Sequence, residues 1–154
     1  AIRQHANHVK ERDPAGALWL TDADACCALR KVEPLAQALA QFDIWISGRK
    51  RYQGGKRVAM PVFEADGQRL KVNPLAEWTS GDVEIYRQAI SLPQHPLVAR
   101  GYRSIGCEPC TSPVREGEDE RAGRWRGREK TECGIHLAAG PARMMTQDEM
   151  IDFG

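Results

Sequence analysis

Five cysteines are the most reactive side chains in the sequence, and their spacing sorts them into two pairs and one solitary residue. Cys26 and Cys27 are adjacent, and Cys107-Glu108-Pro109-Cys110 is a C-x-x-C in a turn-rich stretch. Four such thiolates can hold a structural zinc or a [4Fe-4S] cluster, and the C-x-x-C half is common to both. Neighbouring helix positions point roughly 100° apart, which is awkward for one small tetrahedral ion. A cubane offers separate iron corners, so the adjacent pair leans toward a cluster, while spacing alone leaves zinc open. The bland alternative is a pair of buried helix thiols beside an independent C-x-x-C. An odd number of cysteines excludes a fully paired framework of intrachain disulfides.

Cys133 stands alone in Arg128-Glu129-Lys130-Thr131-Glu132-Cys133-Gly134-Ile135-His136. Gly134 leaves the adjacent backbone open, and Lys130, Arg128 and His136 could favour its thiolate, the nucleophilic form. The competing reading is an inert surplus thiol. Two basic groups could hold an anion: Arg49 to Arg57, and Arg115 with Arg121, Arg124, Arg126, Arg128 and Lys130. Arginine suits the bidentate recognition of phosphate or sulfate oxygens. Against this, Glu116, Glu118, Asp119 and Glu120 partly neutralise the second group, and a solvated face is the simpler account. His95 and His136 have no metal-ligand spacing, His5 and His8 read as surface residues, and Trp19, Trp45 and Trp78 read as core.

The elements that must carry these residues follow from local pattern. Ile2 to Arg12 reads as a polar helix stopped by Asp13-Pro14-Ala15-Gly16. Ala17 to Leu20 is a short apolar run that reads as a strand. Thr21-Asp22 caps a helix bearing Cys26 and Cys27, which Pro34 kinks or restarts. Phe42 to Ile46 reads as a buried strand. Val58 to Phe63 and Arg69 to Val72 flank Asp66-Gly67 as a hairpin. Thr79 with Asp82 forms a capping box before Val83, Ile85, Tyr86 and Ile90, a helix ended by Pro93. Leu97 to His136 is mostly loop, which in a compact domain marks a functional or disordered segment. Thr146 to Glu149 reads as a last helical turn.

Composition bounds the function classes. The chain has 154 residues, 42% hydrophobic and 28% charged, with a net charge of +1 from 22 basic and 21 acidic residues. These are values of an ordinary globular domain. The charge balance argues against a nucleic-acid binder driven by bulk charge. No apolar run approaches the roughly 20 residues that span a bilayer, and no secretory signal is visible, so a cytoplasmic protein without membrane segments is expected.

Read with their neighbours, the cysteines resemble one family. Cys26-Cys27-Ala28-Leu29-Arg30-Lys31-Val32-Glu33-Pro34-Leu35 is similar to the tandem-cysteine segment of the assimilatory adenylyl-sulfate reductases, within the phosphoadenylyl-sulfate reductase family. In the family's order follow Lys71-Val72-Asn73-Pro74-Leu75-Ala76-Glu77-Trp78, Gly101-Tyr102, Ser104 to Thr111, Gly117 to Trp125, and Glu132-Cys133-Gly134-Ile135-His136. The resemblance implies an α/β fold, the C-terminal part of an adenine-nucleotide alpha-hydrolase-like parallel-sheet architecture. Residues 1–112 would form a partial reductase domain carrying the cluster ligands, and 113–154 a mobile, loop-rich C-terminal segment with the catalytic cysteine.

The same resemblance implies a [4Fe-4S] cluster on Cys26, Cys27, Cys107 and Cys110, with Lys31 near cluster and substrate. It implies substrate contacts from Arg51, Arg121, Arg124 and His136. Cys133 would attack adenylyl sulfate, expel AMP and form an S-sulfocysteine, from which thioredoxin or glutaredoxin releases sulfite. The four cluster cysteines favour adenylyl sulfate over 3′-phosphoadenylyl sulfate. A reductase for the latter and a non-catalytic zinc-bound fragment are the alternatives, and a homo-oligomer is left open. Lys50 stands where the family's basic loop usually has its first arginine, which keeps the charge and loses the fork. The family's first strands and phosphate-binding turn have no counterpart before Ala1. A chain without them is expected to expose a sheet edge and bind adenylyl sulfate poorly.

Overall fold

The computed structural model describes residues 5–136. The helical turn expected at Thr146 to Glu149, and residues 137–154 of the expected mobile segment, lie outside them. The element order is α1 His5–Arg12, α2 Leu18–Thr21, α3 Ala23–Cys27, a π-helical turn Ala28–Val32, α4 Glu33–Leu39, β1 Ile44–Ile46, β2 Phe63–Asp66, β3 Arg69–Val72 and α5 Ser80–Ala89. Short 3₁₀ turns punctuate the loops at Arg51–Gln53, Gly55–Arg57, Val98–Arg100 and Glu108–Cys110. No helix among the described residues is long and apolar enough to cross a membrane.

The fold is of the α/β class, with one three-stranded sheet in the order β1-β3-β2. Leu70 N donates to Asp43 O and Ser47 N to Val72 O, both at 2.8 Å. Residue numbers rise together along that pair, so β1 and β3 run parallel. β2 and β3 form the expected hairpin, turned at Gly67 with φ +65°. The described sheet is therefore mixed rather than all parallel.

Three strand expectations need correction. Ala17 to Leu20 does not form a strand; Leu18–Thr21 is a helical turn. Asp13 explains it, because its carboxylate accepts from Ala17 N at 2.9 Å and Leu18 N at 3.2 Å, nucleating a turn that ends at the Asp22 cap. Phe42 to Ile46 forms a strand over its last three residues, but an exposed one: Phe42 is 52% and Ile46 72% exposed. A three-residue strand with a sheet partner on one side only has little to cover it. The upstream hairpin arm falls later than expected: β2 runs Phe63–Asp66, so only Phe63 of the expected Val58 to Phe63 arm lies in it.

The helix expectations fare better. The Asp22 carboxylate caps α3 by accepting from Asp24 N and Ala25 N. Thr79 and Asp82 make the reciprocal capping box, with Thr79 N to Asp82 Oδ2 at 2.7 Å and Asp82 N to Thr79 Oγ1 at 3.1 Å. α5 stops at Ala89, before Pro93, where Ser91 takes φ +52° and Leu92 N returns to Arg87 O. Its apolar positions Ile85, Tyr86 and Ile90 are exposed rather than core.

The chain divides into two compact units. One comprises residues 1–45, 65–70 and 132–154, and the other 46–64 and 71–131. In the first, Leu29 and Cys27 are buried. Asp13 there binds Arg30 at 2.7 Å. Burial alone would raise the Asp13 pKa, but Arg30 and the two backbone N–H groups overcome it and hold the carboxyl below its ordinary range. In the second, Met60, Ala76 and Trp125 are buried, together with Glu64, Lys71 and Asn73.

Candidate functional site

In the first unit, α3 carries Cys26 and Cys27, and the helix widens into its π turn one residue later. π turns inside helices are rare and often accompany functional sites. Cys27 is buried and Cys26 half-buried. Arg30, four residues on, directs Nη1 toward Cys26 Sγ at 3.7 Å while its Nη2 binds Asp13. Sequence reasoning passed over Arg30, although its i+4 spacing was the available signal. Lys31 lies half-buried on the same π turn.

Cys133 and His136 belong to this unit too. Gly134 has φ +91°, and a Cβ placed there would come within 3.2 Å of Val32 Cγ2 on the π turn. The backbone beside Cys133 thus leaves only a tight space for a side chain next to the segment following the tandem cysteines. His136 stacks on Trp45 with ring centroids 5.7 Å apart and planes within 3°. Trp45 is half-buried and touches a predicted site residue, so its reading as core alone was incomplete.

In the second unit, Cys107 and Cys110 sit on a 3₁₀ turn closed by Cys110 N to Cys107 O at 3.0 Å. Thr111 Oγ1 donates to Cys107 O at 2.8 Å and accepts from Gly106 N at 3.2 Å, bracing the turn. The arginine loop is tied directly to it. Trp125 N donates to Cys110 O, Ser112 N to Gly123 O, and Thr111 pairs with Arg124 in an isolated antiparallel bridge.

Trp125 is the hub of that loop, buried and held at φ +48°. Arg124 Cζ lies 4.4 Å from its ring centroid, Lys130 Nζ 5.8 Å and Arg121 Cζ 6.0 Å, so three cations share one π face or its rim. Arg121 Nη2 donates to Thr131 O at 2.8 Å, and Arg124 Nη1 to Ile105 O at 3.2 Å. A Cβ at Gly106 would overlap the Arg124 guanidinium, so a side chain there would displace that end of Arg124. Arg124 Nε and Trp125 Nε1 are buried donors without an acceptor. Buried donors are rarely left so.

The basic loop from Arg49 to Arg57 is anchored internally. Arg49 pairs with Glu64, and Lys71 Nζ reaches the same carboxylate at 2.5 Å. Asn73 joins through Arg49 Nη2 at 3.2 Å and gives Nδ2 to Pro61 O at 2.9 Å. The Lys71-Val72-Asn73 motif is thus a buried brace under the loop. Arg51 donates from Nε to Met60 O at 2.9 Å and from Nη1 to Glu77 at 3.1 Å. Burial lowers the Lys50 pKa, and Arg57 adds to that, with Glu120 opposing. Burial pushes the Glu120 carboxyl up, with Arg103 and Lys50 pulling it back. The acidic stretch thus partly neutralises this loop as well. Arg126 binds Glu118 through both nitrogens, at 2.8 and 2.7 Å.

All five cysteines are free thiols. As donor chemistry, each pair fits the thiolate ligation of a cluster or a zinc ion, since its thiols are local to one turn and uncommitted to a disulfide. Among the described residues, no group of three or more His, Cys, Asp or Glu side chains is arranged to hold a metal ion.

An α/β scaffold with thiol pairs in both units and an arginine loop wired to one of them is the class defined to this point. The chain belongs to the phosphoadenosine phosphosulfate reductase family, whose domain matches residues 2–113. It is 58% identical over 126 residues to an adenosine 5′-phosphosulfate reductase of Mesorhizobium japonicum, covering 82% of this chain and 50% of that protein. A relative of the same name from Chelativorans sp. is 56% identical over 136 residues, 88% of this chain and 56% of that one. A Schizosaccharomyces pombe relative, named "Probable phosphoadenosine phosphosulfate reductase", is 50% identical over 121 residues, 77% of this chain and 46% of that protein. Among solved structures, the phosphate complex of phosphoadenylyl-sulfate reductase from Candida auris matches with a TM-score of 0.55 and 27% identity, over 71% of this chain and 52% of that one. The chain spans about half the length of the curated relatives it matches.

Proposed function

We propose that this chain is the part of a thioredoxin-dependent adenylyl-sulfate reductase that carries the cluster ligands and the nucleophile. The observation carrying the reading is the pair of orphaned donors, Arg124 Nε and Trp125 Nε1, on a loop hydrogen-bonded to the C-x-x-C. They lie beside the arginines that the family resemblance assigns to the phosphosulfate. Two relatives above 55% identity bear the name adenosine 5′-phosphosulfate reductase.

In the proposed reaction, the Cys133 thiolate attacks the sulfur of adenylyl sulfate. A sulfur–sulfur bond forms as the bond from sulfur to the phosphate oxygen breaks, and AMP leaves with that electron pair. A thiolate of reduced thioredoxin, or of glutaredoxin, then attacks Cys133 Sγ. Sulfite departs with the sulfur–sulfur electron pair, and the donor's second thiol resolves the mixed disulfide. The donor dithiol thereby supplies both electrons and Cys133 returns to its starting state. Arg121, Arg124, Arg51 and Lys31 neutralise the phosphosulfate, and His136 contacts the nucleotide. Cys26, Cys27, Cys107 and Cys110 would hold a [4Fe-4S] cluster, which supplies fixed charge and outer-sphere tuning near the substrate. The segment carrying Cys133 closes for the first step and opens for the second. A cytoplasmic setting suits reduced thiols.

The test is sulfite release from adenylyl sulfate with reduced thioredoxin, alongside iron and acid-labile sulfide analysis of anaerobically purified protein. Sulfite together with iron and sulfide is expected. Stoichiometric zinc, no sulfide and no sulfite would overturn the reading. The Schizosaccharomyces relative's name keeps 3′-phosphoadenylyl sulfate as a second reading. Competition between the two nucleotides at matched concentration decides, and adenylyl sulfate is expected to win.

A further inference from the structure

We infer that Trp45 is a positioning residue, an indole platform that docks the Cys133 segment. This rests on the reading of Cys133 as the nucleophile and adds to it what holds that sulfur in place. Three observations within one unit carry it. His136 lies flat on the Trp45 ring, with planes within 3°. The indole is itself anchored, its Nε1 donating to Asp66 Oδ2 at 2.8 Å across to the hairpin. Gly134 lies beside Val32 with room for little more than a hydrogen, an added Cβ coming within 3.2 Å, at a φ of +91° that a side chain would strain.

Cys133 lies next to one of these contacts and three residues before the other, so two fixed points bracket it. A flat stack fixes the ring plane while leaving in-plane sliding inexpensive, and the glycine contact fixes depth. The Asp66 hydrogen bond prevents the indole from changing rotamer, so the platform stays in place when the segment lifts. The arrangement suits a segment that must present a sulfur, then release it to a second thiol. Trp45 touches no reacting atom; it acts through His136.

The test uses the full chain and compares Trp45→Leu, which removes the platform, with Trp45→Phe, which keeps a ring but loses the Asp66 anchor. The first readout is the rate at which iodoacetamide alkylates Cys133 without substrate, followed by peptide mass mapping. Trp45→Leu is expected to raise that rate about fivefold, the size of a lost aromatic stack, and Trp45→Phe to stay within about twofold. The second is the steady-state split, in which Trp45→Leu lowers kcat by a larger factor than it raises KM, because the phosphosulfate-binding arginines are untouched and only the contact through His136 is loosened. A folded Trp45→Leu protein with the parent alkylation rate overturns the inference, whether or not the chain reduces adenylyl sulfate. If the parent releases no sulfite, the functional reading fails and the alkylation comparison still judges the platform. Should Trp45→Leu not fold by circular dichroism, Asp66→Ala replaces it, with a smaller rise expected and an unchanged rate again overturning the inference.

Discussion

In the unit formed by residues 46–64 and 71–131, cations are held by directional bonds. Arg49 meets Glu64, Arg51 meets Met60 O and Glu77, Arg121 meets Thr131 O, and Arg126 forks onto Glu118. In the other unit, the Cys133 segment stacks His136 on the Trp45 ring and brings Gly134 close to Val32. Hydrogen bonds fix both distance and angle, so they suit groups that must wait for a substrate in one geometry. Stacking and van der Waals contact fix a plane and a depth, and they can be made and broken repeatedly. The contrast sets the cations of the proposed anion-binding frame, held in one geometry, against a segment suited to the proposed transfer of a thiol between two partners.

The strongest way to break the contrast is Cys133→Ser. Sulfite release should fall by about 10³-fold or more, with an unchanged melting midpoint, as the proposed role of the solitary sulfur as nucleophile requires. Retained activity would assign the chemistry elsewhere. Glu64→Ala attacks the frame instead. It leaves Lys71, 1% exposed, and Arg49 without their shared carboxylate, and loss of one partner of a buried pair costs about 3–5 kcal/mol. Urea unfolding should show that loss, and Glu64→Gln a smaller one.

Gly123→Ala is next in size. A Cβ there would overlap the Ser112 carbonyl, and such a clash costs about 1–3 kcal/mol. The loop would shift around Trp125, and adenylyl sulfate affinity should fall with stability. The smallest effect belongs to Glu118. Arg126 first, then the Arg115 N–H, draw its carboxyl from 4.5 to about 2. A depressed carboxyl contributes stability that is complete above the ordinary value and lost as pH falls through the folded one. Carbon-detected NMR of Glu118 should show a midpoint near the lower figure, moving back up in Arg126→Met.

Much of this was legible in the residue order because the signals were local. The Asp22 cap, the Thr79–Asp82 box and the Asp66-Gly67 hairpin each need only a few neighbouring residues. The pairing of Cys26 with Cys27 and of Cys107 with Cys110 onto single turns was equally local. The misread parts depended on distant partners or on a missing period. Four apolar residues from Ala17 fit helix or strand equally, and the Asp13 side chain decided between them. Whether Trp45 is merely core depends on His136, 91 positions later. The Lys71-Val72-Asn73 motif was recognisable as a string, but its meaning, a brace for Arg49, appears only when Glu64 folds against it.

The account stands most directly on where sulfur from the substrate becomes attached. Protein treated with adenylyl sulfate and no thiol donor should be quenched, digested and mapped by mass spectrometry for an added SO₃ group. The prediction is one adduct, on the peptide containing Cys133, removed by reduced thioredoxin with release of sulfite. An adduct on Cys26, Cys27, Cys107 or Cys110, or sulfite formation with no adduct at Cys133, would contradict it.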